Sequence, residues 1–349
     1  MNIYPKFRSF LSDKNKGALT RFLIETGLKP RVNHQADSPF KRGIVVFSAD
    51  FEMAWAFRFS KTKHKEAIKK GLEERENIPV LLDLFKRFNI PVTWATVGHL
   101  FLSECKKGSN GLPHSEMPRP EFFENRNWSF NSGDWYQHDP CSDIKTDPAW
   151  YASDLIDLIL ASDVNHEIGC HTFSHLDFSY KNCPKLLADA ELDICIKLAA
   201  GKGITLRSMV FPGGTHGNFE SLKEKGIECY RKPMKYHIGL PYIDPFGLVA
   251  IPSSFGLDKD PYGWSKEFHL KMIRNYLDKA AKYKLVCHFW FHPSMDLWYL
   301  ENVMPEVLKL VANYRDPSKI EVKTMGQVAE EFKKLTAETQ RREDRKANA

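Results

Sequence analysis

Apolar residues recur along this chain in two rhythms that take turns. Gly43-Ile44-Val45-Val46-Phe47-Ser48 is a continuous apolar run of strand length, which predicts a strand buried on both faces. Between Lys65 and Phe88 the rhythm changes. Ile78, Leu81, Leu82, Phe85 and Phe88 fall three or four positions apart, the spacing of one helical face, and Pro79 is expected to kink or divide that helix. Pro91 to Val97 reads as a second strand, reached by a crossover long enough for a parallel βαβ unit. The alternation then resumes. Helices are expected at Ala152–Ala161, Pro184–Ala200, Asn218–Lys225, Glu267–Tyr283 and Leu300–Tyr314. Strands are expected at Glu167–Cys170, Arg207–Phe211, Ile227–Tyr230, Leu285–Phe291 and Ile320–Val322. Thr324 is placed to cap a last helix that ends at Leu335. Strand–helix alternation sustained in this way argues a parallel α/β sheet or an α/β barrel.

Three stretches depart from the rhythm. Residues 103–150 are rich in Pro, Gly, Asn and Trp and show little periodicity. They form a long insertion that is either a surface excursion held by its own aromatics or a wall for substrate. Residues 1–40 are a lead-in whose Phe7, Phe10, Leu11, Leu19, Phe22, Leu23 and Leu28 can line one side of short helices. Residues 336–349 are a polar tail expected to fray. Residues 41–335 remain as one domain.

Composition narrows the class. The chain has 349 residues, 42% hydrophobic and 27% charged, which is ordinary for a soluble globular protein. No apolar run is long enough to span a bilayer. Charged residues interrupt residues 1–31, so no secretory signal is expected there and a cytoplasmic address follows. The basic lead-in is a candidate for resting on a membrane surface. Seven scattered cysteines without a C-x-x-C pair argue against a disulfide framework and a cysteine-based zinc knuckle. The formal charge of +6 is spread along the chain, so nucleic acid is not an expected partner.

The chemistry collects at strand ends. His171-Thr172-Phe173-Ser174-His175 follows the Glu167–Cys170 strand. On a helical turn, imidazoles four apart share a face and can reach one point, which suits a first-row metal, zinc above all. Asp50 and Glu52 close the first strand, and His292 closes the strand at residues 285–291. In parallel α/β folds the C-terminal ends of the strands build the site, so these clusters are expected on one rim.

Those residues resemble the polysaccharide deacetylases. The quoted motifs are the acidic pair in Ser48-Ala49-Asp50-Phe51-Glu52, the H-[ST]-x-x-H stretch at His171–His175, the turn Phe211-Pro212-Gly213-Gly214 and the late histidine in Phe289-Trp290-Phe291-His292-Pro293. The resemblance implies an α/β fold, a distorted (β/α) barrel. It also implies a metal-dependent hydrolase that removes an N-acetyl or short acyl group from an amino sugar. Glu52, His171 and His175 would hold a divalent metal, zinc by preference, that activates water. Asp50 would be the base and His292 the acid, with Gly213 and Gly214 donating N–H groups to the oxyanion. Trp55, Trp290 and Arg58 are the candidates for contacting substrate. A cytoplasmic address points to a nucleotide- or lipid-linked precursor of a surface polysaccharide. The alternatives are a metal-free hydrolase of cyclic amides or imides on the same fold and an inactive carbohydrate-binding relative. Two departures stand out. The acids are separated by Phe51, and Val210 occupies the place of the family's base-orienting arginine, for which Arg207, Arg58 and Arg231 are the substitutes. His288 shares the spacing of His292 and competes for the acid role, and His216 is a loop or a site residue.

Overall fold

The computed structural model describes residues 13–32, 37–259, 263–315 and 319–347. Phe7, Phe10 and Leu11 of the lead-in lie outside them. The lead-in forms α1 (Asp13–Glu25), which buries Ile24 and leaves Phe22 exposed.

β1 (Gly43–Phe51) is buried at every position, as its unbroken apolar run requires. β8 (Val286–Phe291) runs parallel along one flank, with Val286 opposite Ile44 and Phe291 opposite Ala49. The other flank changes partner midway. β9 (Ile320–Lys323) pairs with Gly43–Val46, and β2 (Thr93–Thr96) pairs with Ser48–Phe51. From β2 the sheet continues in parallel through β3 (Glu167–Cys170), β4 (Ser208–Met209), β5 (Cys229–Lys232) and β6 (Val249–Pro252). Two residues past β6, β7 (Phe255–Gly256) pairs with β8. One stretch, residues 249–256, therefore touches β5 with its first half and β8 with its second. Its kink at Ser253–Ser254 is bonded on both sides: Ser253 N–H to the Lys232 carbonyl (2.8 Å) and Ser254 N–H to the His288 carbonyl (2.7 Å). The sheet thus curls back on itself as a distorted (β/α) barrel.

Period two along β1 sorts the barrel. Val45, Phe47, Ala49 and Phe51 pack outward in the larger apolar cluster, which includes Ile78, Leu81 and Phe85 of α2 (Ala67–Phe88). Ile44 and Val46 belong to a second cluster with Val210, Cys229, Val249, Ile251 and Val286. Met325, Val328, Ala329 and Phe332 of α9, described below, join that cluster and close the barrel's lower end. Ser48 and Asp50 continue the inner face upward, so the interior is apolar below and polar at the mouth.

The remaining helices are α3 (Ser153–Leu160), α4 (Lys185–Ala200), α5 (Phe219–Glu224), α6 (Lys266–Tyr283), α7 (Leu297–Asn302), α8 (Met304–Tyr314) and α9 (Met325–Ala347). Several differ from the expected elements. α2 is one helix with Pro79 inside it, not two. Residues 297–314 form two helices, with a proline in the first turn of α8. The expected strand at Arg207–Phe211 shortens to Ser208–Met209. α9 runs to Ala347, well past Leu335, so the polar tail is helical through most of its length. Thr324 caps it as expected: Gln327 N–H donates to Thr324 Oγ1 (3.4 Å), and the Gln327 side chain accepts from Thr324 N–H (3.0 Å).

Gly43 opens β1 because α6 crosses it closely. A Cβ there would stand 2.5 Å from the Ala280 carbonyl oxygen, a backbone atom that cannot swing away. Gly43→Ala is expected to destabilise the fold by about 1–3 kcal/mol, read as a lower urea midpoint at unchanged slope. An unshifted midpoint would show that the α6–β1 contact is loose.

Candidate active site

The five residues singled out in the sequence meet at the barrel mouth. Asp50 is the penultimate residue of β1, and Glu52 follows as the chain leaves the sheet. Glu52 Oε2 lies 3.1 Å from His171 Nε2 and 3.0 Å from His175 Nε2, and its Oε1 lies 3.4 Å from His292 Nε2. His292 Nε2 is 3.9 Å from Asp50 Oδ2. Asp50, Glu52, His171 and His175 are buried; His292 is the group that reaches toward solvent.

The histidine pair converges by another route than the expected helical turn. Residues 171–175 are an irregular loop, with Thr172 at φ 58° and His175 at φ 53°. These left-handed residues bring the two rings to 5.0 Å between centroids. Two anchors hold the loop. Glu191 of α4 accepts the N–H groups of Phe173 (2.7 Å) and Ser174 (2.9 Å) and the Ser174 hydroxyl (2.6 Å). Arg58 donates to the Ser174 carbonyl at 2.6 Å. Behind the acidic pair, Glu74 of α2 accepts the N–H groups of Glu52 (3.1 Å) and Met53 (2.7 Å). Burial and the neighbouring Glu52 and Asp50 charges push the Glu74 carboxyl well above its ordinary range, against the pull of those two N–H groups.

The two acids at the mouth have different company. Arg231 of β5 grips Asp50 with both terminal nitrogens, at 2.5 and 2.6 Å, and also donates to Ser48 Oγ at 3.0 Å. Burial would raise the Asp50 carboxyl, but the Arg231 charge and hydrogen bonds more than offset it and hold Asp50 below the usual carboxylate range. Burial also works against ionised Glu52, and there the imidazoles of His292, His175 and His171 hold the carboxyl down. Burial lowers His175 to about 4, so its ring is neutral at neutral pH and free to act as a ligand.

A divalent metal fits this donor set. His171 Nδ1 stands 2.7 Å from the Val210 carbonyl, which accepts only if Nδ1 carries the hydrogen. That leaves Nε2 as the ring atom facing the Glu52 carboxylate, and a divalent cation between Glu52 Oε2 and the Nε2 atoms of His171 and His175 would satisfy all three donors. Two imidazoles and a carboxylate are ordinary ligands for zinc, with further positions left open.

Above these groups lies a cleft of about 550 Å³, lined among others by Trp128, Gly213, Gly214, Arg231, Trp290 and His292. Trp128 comes from the insertion and meets the His175 ring edge-on at 5.2 Å. At Gly213 (φ 57°) a Cβ would strike the Trp128 ring at 2.7 Å, so the glycine lets the turn close against this wall.

No protein-family model matches the sequence, and no curated protein matches it. Solved structures do match the architecture. One assigned as a polysaccharide deacetylase from Mycobacterium smegmatis aligns with a TM-score of 0.57 at 16% identity, covering 88% of this chain and 95% of that one. Another so assigned, from Pseudomonas aeruginosa PAO1, gives 0.54 at 14% identity, covering 84% and 91%. The chain has the polysaccharide deacetylase fold. The allantoinase Puue also aligns, at 0.51 and 13% identity over 86% of this chain and 92% of that one. The polysaccharide deacetylase fold therefore does not by itself choose the chemistry.

Within this polysaccharide deacetylase barrel, several expected site residues take other places. Trp55 is fully buried and donates its indole N–H to the Trp150 carbonyl at 3.1 Å, away from the cleft. Arg58 is buried between Trp55 and Trp135, with its cation 4.7 and 4.4 Å from their ring centroids, so it meets no substrate. The Gly214 N–H already donates to the Phe211 carbonyl at 3.0 Å, which removes it from the expected oxyanion pair. Trp290 does line the cleft, 4.9 Å from the Arg231 cation. His288 lies inside the barrel, 2.8 Å from Ser48 Oγ, and His216 packs against Phe211. Of the three candidate arginines, Arg231 takes the place beside the acid. Sequence reading missed Glu74 and Glu191, which look like ordinary helix-surface glutamates because their partners are backbone groups of distant loops; Trp128 belongs to the insertion expected as either a surface excursion or a wall for substrate, and it lines the cleft.

Replacing Arg231 with Gln removes the main force that holds Asp50 ionised. The Asp50 carboxyl is then expected to titrate at higher pH than in the parent protein, followed by carboxyl-carbon NMR. A titration that stays in place or moves lower would contradict the pairing.

Proposed function

We propose that this protein is a metal-dependent amidohydrolase that removes an acetyl or similarly short acyl group from the nitrogen of an amino sugar. The observation that carries the reading is the division of labour at the mouth. Glu52 sits between two imidazoles with its lone pairs facing theirs, and Asp50 is held ionised by Arg231 beside an accessible histidine. Glu52, His171 and His175 would hold the metal. When bound, a divalent cation supplies Lewis acidity to the amide carbonyl and to water.

The chain's own residues do the rest. Asp50 accepts the proton of the attacking water, with Arg231 fixing the direction of its lone pairs. His292, the exposed member of the group, delivers a proton to the departing amine, which leaves poorly without one. The Gly213 N–H is the backbone donor for the developing oxyanion. Trp128 and Trp290 line the cleft and are the aromatic rings within reach of a bound sugar. Metal-free hydrolysis of cyclic amides is the weaker reading, because it gives no task to the Glu52, His171 and His175 donor atoms, which lie within 4.8 Å of one another.

The cleft also favours one kind of amino sugar. Lys61, Lys63, Arg126 and Lys235 line its outer part, which suits a substrate carrying phosphate or carboxylate. With a cytoplasmic address, a nucleotide- or lipid-phosphate-linked precursor of a surface polysaccharide is the natural occupant, and zinc is the metal that this donor set favours.

Two measurements test the reading. With a nucleotide-linked N-acetylhexosamine as substrate, acetate release is expected, and Asp50→Asn and His292→Ala are each expected to lower kcat by about 10²–10⁴-fold. Activity that survives Asp50→Asn unchanged would sink the assignment of the base. Arg126→Ala is expected to raise KM for the phosphate-bearing substrate several-fold with kcat nearly unchanged, and to leave an uncharged N-acetylated sugar unaffected. Equal effects on both substrates would remove charge recognition from the proposal.

A further inference from the structure

A second set of metal-type donors lies in the insertion, apart from the barrel mouth. His99 follows β2 in the short turn Gly98–Phe101, and Cys105, His114 and Asp139 come from the long irregular segment after it. Asp139 Oδ2 is 3.0 Å from His99 Nε2 and 2.8 Å from His114 Nε2. Cys105 Sγ lies 3.4 and 3.5 Å from the two Asp139 oxygens. One donor atom from each of the four residues falls within 4.8 Å of all the others, the same closeness that marks Glu52, His171 and His175. His99 and Asp139 are fully buried and His114 nearly so.

We infer that His99, Cys105, His114 and Asp139 form a second, structural zinc site that fastens the insertion to the barrel. Four protein ligands close a tetrahedral site and leave no position for substrate, the arrangement of structural rather than catalytic zinc. The charges agree. A thiolate, a carboxylate and two neutral imidazoles sum to −2 and balance the ion, so the loaded site is neutral in a dry place. Aromatic rings wall it: Trp55 stands 4.2 Å from the His99 ring, and Phe173 stands 5.7 Å from His99 and 5.2 Å from His114. Loading forms one S–Zn, two N–Zn and one O–Zn bond. It releases to solvent the Cys105 thiol proton and the second proton of any imidazolium, and in a neutral ring protonated at Nε2 the hydrogen moves to Nδ1. The two His–Asp139 contacts are slightly shorter than the ligand separations of a loaded tetrahedron, so the ion spreads those pairs by up to about half an ångström, which follows from Zn–N near 2.0–2.1 Å.

The position gives the site a purpose. His99 N–H donates to the Phe173 carbonyl (3.0 Å) and Gly98 N–H to the Thr172 carbonyl (2.8 Å), inside the loop that carries His171 and His175. Zinc at His99 therefore stiffens the loop that presents the catalytic pair, and it holds the segment that supplies Trp128.

Zinc content and cobalt spectroscopy on the full-length protein test this. Fully loaded protein is expected to hold two zinc ions per chain, falling to one in His171→Ala and to one in Cys105→Ser/His114→Ala. The mouth has no thiol ligand, so cobalt spectroscopy separates the sites. Cobalt-loaded His171→Ala protein, whose insertion is untouched, is expected to show thiolate-to-cobalt charge-transfer absorption, and Cys105→Ser is expected to lose it. No such absorption in His171→Ala, or unchanged zinc content in Cys105→Ser/His114→Ala, overturns the second site and leaves the first untouched. Loss of the mouth metal alone, with the thiolate band intact, would instead count against the proposed hydrolase and not against this site.

Discussion

Two buried glutamate carboxyl groups hold the mouth of this barrel in shape. As a chain leaves a parallel strand, its next N–H groups lose their ladder partners, and burying them unpaired costs more than most side-chain contacts return. Here α2 supplies Glu74 to the N–H groups of Glu52 and Met53, and α4 supplies Glu191 to those of Phe173 and Ser174. Each glutamate thus fixes a loop that carries metal-type ligands. The barrel positions the loops coarsely, and these bonds set the backbone on which Glu52, His171 and His175 converge. Arg58 adds a third tie at the Ser174 carbonyl, with its cation packed among the rings of Trp55, Phe59 and Trp135.

With the backbone fixed, charge separates the roles of the two acids. Asp50 and Glu52 sit one residue apart in the same buried mouth, where two carboxylates alone would repel. Arg231 neutralises one in a bidentate pair, and the imidazoles surround the other. The two carboxyl groups thus have different neighbours, which under the proposed function leaves Asp50 to take a proton and Glu52 to hold the metal. The arginine reaches Asp50 from β5, across the barrel interior. A side chain from another strand can do the same work as one from the turn after β4, because all strands end on one rim.

That geometry explains what the sequence could and could not tell. The strands were legible because both faces of β1 are covered, so its run is apolar throughout, and because Asp50, His171 and His292 follow such runs. Period two then sends Ser48 and Asp50 inward with no further information needed. Arg231 could be named only as one of three substitutes, since its partnership depends on the curl of the sheet and not on spacing. The glutamates were invisible for the same reason. Apolar periodicity also reports burial rather than helicity. It stops at Leu335, where α9 leaves the barrel floor, while the helix runs on with polar contacts such as Gln340 to Asp344 at 2.9 Å. Trp55 and Arg58 were misplaced because an aromatic beside a cation looks the same in sequence whether it faces a sugar or stacks in the core.

The insertion is where the two readings offered by its sequence turn out to be compatible. Its aromatics do pack, on one another and on the barrel: Phe130 meets Trp135 edge-on at 5.1 Å, and Phe59, from the segment after β1, stacks on Trp135 at 4.8 Å. Trp135 in turn donates its indole N–H to Ser174 Oγ at 2.7 Å, so this cluster is bonded to the histidine loop. Trp128 emerges from the same packing to stand against His175 and the Gly213 turn. A segment whose regular structure is little more than the short antiparallel pairing of Phe123–Glu124 with Ser129–Phe130 can hold a tryptophan at a cleft only if other contacts do the work of a longer ladder. Stacked rings on one side and the His99–Cys105–His114–Asp139 group on the other supply those contacts, which is why an irregular segment can serve as one rigid wall of the site.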